Sequence, residues 1–233
     1  MKKLAGVTYI ILFMMSFFAY SAGLRLEQTR LILNSTKSNA TFTVVNDDLN
    51  PYLIQTAVTE QFEGAKSPYF VVTPPLFRLD ANSKFSARVL LKNKSELPTD
   101  RESLFFLNTR AIPAEKHPNE QTNDAKLTFV TNIVIKVFYR PSQLTVPNSA
   151  VFQQVTLKQQ EKQWVFNNPT PYYLTVVNLK YNQQSYKKSL ILAPFSDTEI
   201  TGLQGHISQA RWQMINDFGG LSDAIIYPPA KNK

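Results

Sequence analysis

The run from Lys126 to Pro141, KLTFVTNIVIKVFYRP, constrains this chain more than any other segment. Leu127, Phe129, Thr131, Ile133 and Ile135 lie two apart, so in an extended strand they share one face. Val130, Val134 and Phe138 make parts of the opposite face apolar as well. Lys136 sits deep in the run on that second face, and Arg140 follows just before a proline. A buried ammonium is costly unless an anion meets it. A long strand with two apolar faces also presents an edge that proteins normally protect. Both features fit a strand that receives a partner chain.

The rest of the chain reads as β throughout. Alternating runs recur at Ala40–Val45, Tyr52–Thr59, Tyr69–Thr73, Phe85–Leu91, Leu104–Thr109 and Leu127–Tyr139. Turn clusters such as Asn46–Pro51 and Thr73-Pro74-Pro75 separate them. A second set follows Pro141: Val151–Leu157, Gln163–Asn167, Tyr172–Leu179, Lys188–Leu192, Asp197–Thr201, His206–Ile215 and Ala224–Tyr227. Ile207–Ile215 has the only competing helical periodicity, and it is weak. Ser142–Ala150, with Pro147 and Asn148, reads as a linker, and the polar stretch Glu115–Lys126 as a loop. Strands at this spacing predict antiparallel sandwiches.

The N-terminus has the pattern of an export signal: Lys2 and Lys3, an apolar stretch from Leu4 to Phe18, then small residues around Ser21 and Ala22. The expectation is cleavage after Ser21 or Ala22, with no membrane insertion of the mature chain. Residues 1–22 carry two lysines and no acid, so their removal takes the net charge from +8 to +6. No dense Lys/Arg block with interleaved aromatics accompanies that charge, so nucleic acid is not the expected partner. There is no cysteine, which excludes disulfides, thiol nucleophiles and Cys-ligated zinc. The predicted organisation is a signal over 1–22, a first sandwich over 23–143 and a second over 144–233.

Catalytic and cofactor readings find little support. The two histidines, His117 and His206, read as surface residues. No HExxH, phosphate-binding glycine loop, dinucleotide fingerprint or G-x-S-x-G elbow is present. The expectation is therefore no enzyme, no catalytic residue, no metal and no cofactor.

Taken together, the blocks TPPLFRLD (73–80), DRESLFFLNTRAIP (100–113), IKVFYRP (135–141), NPTPYYLTVVNL (168–179) and INDFGG (215–220) resemble one family in order and spacing. It is the periplasmic pilus-assembly chaperones of chaperone–usher systems, the PapD-like family. The resemblance spans essentially the whole mature chain. It implies an all-β fold of two immunoglobulin-like sandwiches in a boomerang arrangement, acting in the periplasm. It also implies a function: binding, folding and capping pilin subunits, then delivering them to an outer-membrane usher without nucleotide. Donor-strand complementation is the family's mode, a known case of strand addition.

Residue by residue, Arg30 and Lys136 match the pair that holds the subunit's C-terminal carboxylate, as two cations can. Leu127, Phe129, Thr131 and Ile133 match the donor strand, with Thr131 smaller and more polar than the pattern. Glu102, Arg140 and Asp217 match the inter-domain charge network, and Pro51 and Pro113 the usher-facing prolines. The absence of cysteines before the donor strand points to the short-loop branch, and a self-capping dimer of the free chaperone is compatible with the mode. The readings to set against it are a secreted immunoglobulin-like adhesin or structural subunit, and a paralogue serving a non-fimbrial surface polymer.

Overall fold

β-Branched and aromatic residues pack well on a pleated surface, and Asn, Asp, Pro and Gly supply the corners between such runs. The outcome is strand almost everywhere. The computed structural model describes residues 23–114, 128–203 and 205–228. The expected signal, the loop over 115–126 and the donor-strand residue Leu127 lie outside the described residues.

The first sandwich has two sheets. One is ordered β1 (Leu24–Leu26), β3 (Asn39–Asn46), β7 (Ser83–Leu91), β5 (Phe70–Thr73). The other is ordered β2 (Arg30–Asn34), β9 (Thr131–Arg140), β8 (Ser103–Pro113), β4 (Tyr52–Thr59), β6 (Leu76–Leu79). The chain changes sheets between β1 and β2, so a short first segment serves both edges. Between the sheets lies a core that includes Leu33, Phe42, Val44, Ile54, Val89, Leu107 and Val137.

The second sandwich pairs a three-stranded sheet of β10 (Thr156–Gln160), β11 (Gln163–Asn168) and β15 (Ser196–Glu199) with a five-stranded one. The latter runs β13 (Gln184–Ser185), β12 (Leu174–Tyr181), β16 (Ala210–Met214), β17 (Ile225–Tyr227), and β14 (Leu190–Leu192) also pairs with β12. Phe166, Leu179, Leu192, Trp212 and Met214 fill its centre. Both halves are immunoglobulin-like sandwiches, sandwiches being what the patterning predicts and the immunoglobulin-like form what the resemblance implies.

Local readings differ from the fold in three places. The strand expected from Val151 begins at Thr156, because Asn148 caps a single-turn helix, α1 (Ser149–Phe152), by accepting from the Val151 N–H at 3.2 Å. The strand expected over His206–Ile215 is present as β16, with Ala210, Trp212 and Met214 buried at strand spacing. β1, β2, β6 and β13 are absent from the run of predicted strands, being too short to display a period. The long strand expected from Leu127 is assigned only from Thr131, and Phe129 lies before it, 75% exposed.

β9 is the element that places the site. β8 pairs with it antiparallel from Ala111↔Thr131 to Ser103↔Tyr139. β2 pairs with it parallel on the other side, but only from Arg30↔Lys136 to Asn34↔Arg140. Among the described residues, Thr131–Ile135 therefore has a neighbour on one side and a free edge on the other. The odd-numbered face also changes role along the strand. Ile135, Val137 and Tyr139 belong to the core, Ile133 is half-buried, and Thr131 and Phe129 stand beyond it in solvent.

A free strand edge ending at two cations

The register brings Arg30 and Lys136 together as cross-strand neighbours where β2 begins and the free edge of β9 ends. The Lys136 Nζ crosses to the second sandwich and donates to the Thr175 Oγ1 at 3.1 Å. Among the described residues no carboxylate lies within ion-pair distance of either cation. The Arg30 Nε is buried and has no hydrogen-bond partner. Burial lowers the Arg30 guanidinium from its ordinary value, with the Asp217 charge opposing. Burial, reinforced by the Arg30 charge, lowers Lys136 to about 8. An orphaned buried donor beside a half-desolvated ammonium has the charge and the hydrogen-bonding capacity to receive an anion.

Four residues further along the same face, Arg140 stands in the opposite condition. Its Nε donates to the Glu102 Oε1 at 2.6 Å, its Nη1 to the Asp217 Oδ2 at 2.6 Å and its Nη2 to the Asp217 Oδ1 at 2.9 Å. The Tyr173 N–H donates to the remaining Glu102 oxygen at 2.9 Å. The three side chains are 4%, 2% and 16% exposed for Arg140, Glu102 and Asp217. Burial works against the Arg140 charge, but the hydrogen bonds and charges of Asp217 and Glu102 outweigh it and raise its pKa. Burial pushes the Glu102 carboxyl up while Arg140 pulls it down. The bonds it accepts from a guanidinium and a backbone amide mark it as a carboxylate.

Local sequence explains how these groups are delivered. The fully buried Asn168 donates to the Tyr172 and Ala193 carbonyls at 2.8 Å each, and the Thr170 N–H and hydroxyl bond its Oδ1. That turn sets Tyr173 and Thr175 at the start of β12, against Glu102 and Lys136. In the β16–β17 turn, the Asn216 Oδ1 accepts from the Phe218 and Gly220 N–H groups, which closes the turn that carries Asp217. Gly219, at φ +83°, lies so close to the first sandwich that a Cβ there would come within 2.7 Å of the Thr29 Oγ1.

Two family descriptions cover the chain. Residues 23–145 match the model described as "Pili and flagellar-assembly chaperone, PapD N-terminal domain", and 150–225 match "Pili assembly chaperone PapD, C-terminal domain". The chain belongs to the PapD family of pilus-assembly chaperones. It is 32% identical over 220 residues to the chaperone protein FimC of Escherichia coli K12, covering 94% of this chain and 89% of FimC. The solved E. coli chaperone DraB superposes with a TM-score of 0.75 at 31% identity, over 88% of this chain and 97% of DraB. The Salmonella enterica SafB chaperone, solved with the SafA pilin, gives 0.76 at 27% identity, over 90% and 97% of the two chains. A PapD-family chaperone is a binding protein, and chaperones are not an enzyme class.

Within that family frame, the fold unites Arg30 with Lys136, and Glu102 with Arg140 and Asp217. Pro51 and Pro113 flank one end of the β4–β8 ladder: Tyr52 pairs with Pro113, and the Ala114 N–H bonds the Pro51 carbonyl at 3.1 Å. Of the donor-strand residues, Thr131 and Ile133 lie in β9, Phe129 precedes it and Leu127 is outside the described residues. Thr175 and Asn168 were not among the expected site residues. For Thr175 a signal was present all the same, as a polar side chain inside the apolar run Tyr172–Val177.

Proposed function

We propose that the chain holds a pilin subunit by lending it the free edge of β9, with Arg30 and Lys136 fixing the subunit's terminal carboxylate. The observation that carries this is the end point of the edge: the first position that β2 covers is the position of the two unpaired cations. A strand whose terminal carboxylate sits there must arrive along Thr131–Ile135 running parallel to β9, in line with β2 and stopping where β2 starts. Its backbone would satisfy the open edge. Its carboxylate would gain charge-assisted bonds from Lys136 and from the orphaned Arg30 donor.

Phe129, Thr131 and Ile133, with Leu127 ahead of them, would insert their shared face into the subunit core. Each large apolar side chain fully buried there contributes roughly 1.5–3 kcal/mol. Thr131 offers less, so one pocket of the client is correspondingly small. Glu102, Arg140 and Asp217 hold the two sandwiches in the relation that the site needs. Pro51 and Pro113 stiffen the end offered to an outer-membrane usher. The two domains divide at 143/144, just before α1, and the chain works in the periplasm after cleavage of residues 1–22. No step of this holding mechanism calls for catalysis or a cofactor.

Co-expression with pilin subunits and pull-down tests the reading, comparing wild type with Arg30→Ala/Lys136→Ala. Recovery of a one-to-one complex by the wild type alone, with both proteins folded, is the expected result. Equal recovery by the double variant would remove the anchor, and recovery by neither would remove the chaperone reading for those subunits.

A further inference from the structure

Lys136 has a second cross-strand neighbour, Phe106 of β8, opposite Arg30. Register partners share a face of the sheet. Arg30, Lys136 and Phe106 therefore form one row on the side from which Lys136 reaches Thr175 of the second sandwich. Thr59 continues the row on β4. Against Phe106 stands Phe62, from the turn after β4, with ring centroids 6.1 Å apart at 77°.

Phe62 is 58% exposed, yet its turn is tightly built. The Thr59 hydroxyl donates to the Gln61 carbonyl at 2.6 Å, the Gly64 N–H to the same carbonyl at 3.2 Å, and the Ser67 N–H to Val58 at 2.9 Å. Beyond the rings the same face is polar and ladder-like. The Asn132 amide donates to the Asn108 Oδ1 at 3.0 Å, and the Asn108 amide to the Thr59 Oγ1 at 2.8 Å. A concavity of about 200 Å³ follows, edged by Gln55, Glu63, Lys66 and Arg110. An exposed, pre-positioned aromatic pair bordered by satisfied polar groups has the make-up of an interface centre with its rim.

We infer that Phe62, seated on Phe106, is a second contact for the pilin subunit, receiving an apolar patch on its folded body rather than its terminal strand. The occupant follows from continuity. The rings share a row with the anchor cations, so a subunit held by its terminus on the free edge of β9 is the body brought over them. The lateral spacing of strands is about 4.8 Å, which puts β8 two strands away from an added strand. The surface over Phe62 is thus beyond the terminal strand's own reach and must meet another part of the subunit. This inference rests on the functional reading above.

The chain has no cysteine, so Phe62→Cys introduces a unique thiol. The probe is the pilin subunit that the wild-type chain recovers on co-expression. Maleimide labelling of the Cys-bearing full chain should slow at least tenfold in the purified complex relative to the free protein. Dissociation of that subunit should accelerate on the order of tenfold or more in Phe62→Ser, while the free variant unfolds at the wild-type temperature. Unchanged labelling and dissociation within twofold, with Arg30→Ala/Lys136→Ala still losing the subunit, would overturn this contact and leave the anchor standing. Full retention of the subunit by Arg30→Ala/Lys136→Ala would remove the anchor, and with it the continuity from which this contact is inferred. Protection that arises in the free protein with rising concentration, without further gain in the complex, would assign the face to a second copy and also overturn the inference.

Discussion

Lys136 and Arg140 occupy the same face of β9, four residues apart, and both reach across to the second sandwich. Arg140 is enclosed by two carboxylates that accept all three of its described bonds. Lys136 has one neutral hydroxyl and a like charge beside it, and Arg30 keeps a buried donor without an acceptor. Two buried-charge problems on one strand thus have different solutions. The closed cluster meets its desolvation cost within the fold, so its role is to join the sandwiches. The open pair has no anionic hydrogen-bond partner among the described residues, and the proposed subunit carboxylate would supply one. On the proposed function, completeness of hydrogen bonding separates the charge that joins the sandwiches from the pair that receives a ligand, where burial alone does not.

The comparison breaks most sharply at Arg140. Arg140→Ala strands two carboxylates at the junction and should destabilise the protein by about 3–5 kcal/mol. Chemical denaturation would record it, and wild-type stability would mean that the closed cluster carries no structural load.

A smaller effect sharpens the other side. Lys136, lowered to about 8 in the free protein, is ordinarily near 10.5. Above pH 8 the cleft has lost a proton that a bound carboxylate would draw back. Subunit affinity should therefore be flat below about pH 7.5 and fall by up to tenfold per pH unit above 8. Lys136→Ala should abolish that slope. In the same window, from about 8 to 10.5, the unfolded chain holds the proton that the folded cleft has released. The free protein should accordingly gain stability as pH rises. An affinity slope of equal size in Lys136→Ala would trace the effect to another group.

The smallest expected change is informative because it is small. Arg30→Ala/Lys136→Ala removes two half-desolvated like charges and no ion pair, so the free protein should unfold within about 1 kcal/mol of wild type or slightly later. A loss comparable to Arg140→Ala would show that the open pair is structural after all.

Strand periodicity made both sandwiches legible, because a buried face of a sheet needs alternating apolar residues whatever lies opposite. The parity of the Lys126–Pro141 run separated the core face from the face carrying Lys136. The family blocks picked out Glu102 and Asp217, and the resemblance to the family's first strand picked out Arg30; no local pattern marks any of the three. Phe62 was not legible: an exposed phenylalanine in a turn looks like any other until a ring from β8 is found beneath it. Thr175 escaped for a related reason, since the lysine that it accepts from lies 39 residues away.

The side-chain sequence alone thus determined that the chain is β, that it forms two cores and that a lysine lies on the wrong face of a long apolar strand. Those properties follow from residue type and spacing, which the chain carries before it folds. Tertiary structure decided where β2 starts along β9. That single register makes five residues an open edge and places Arg30 beside Lys136 at its end. Register between distant segments depends on which cross-strand pairs fit together. No stretch of sequence read alone contains both members of such a pair.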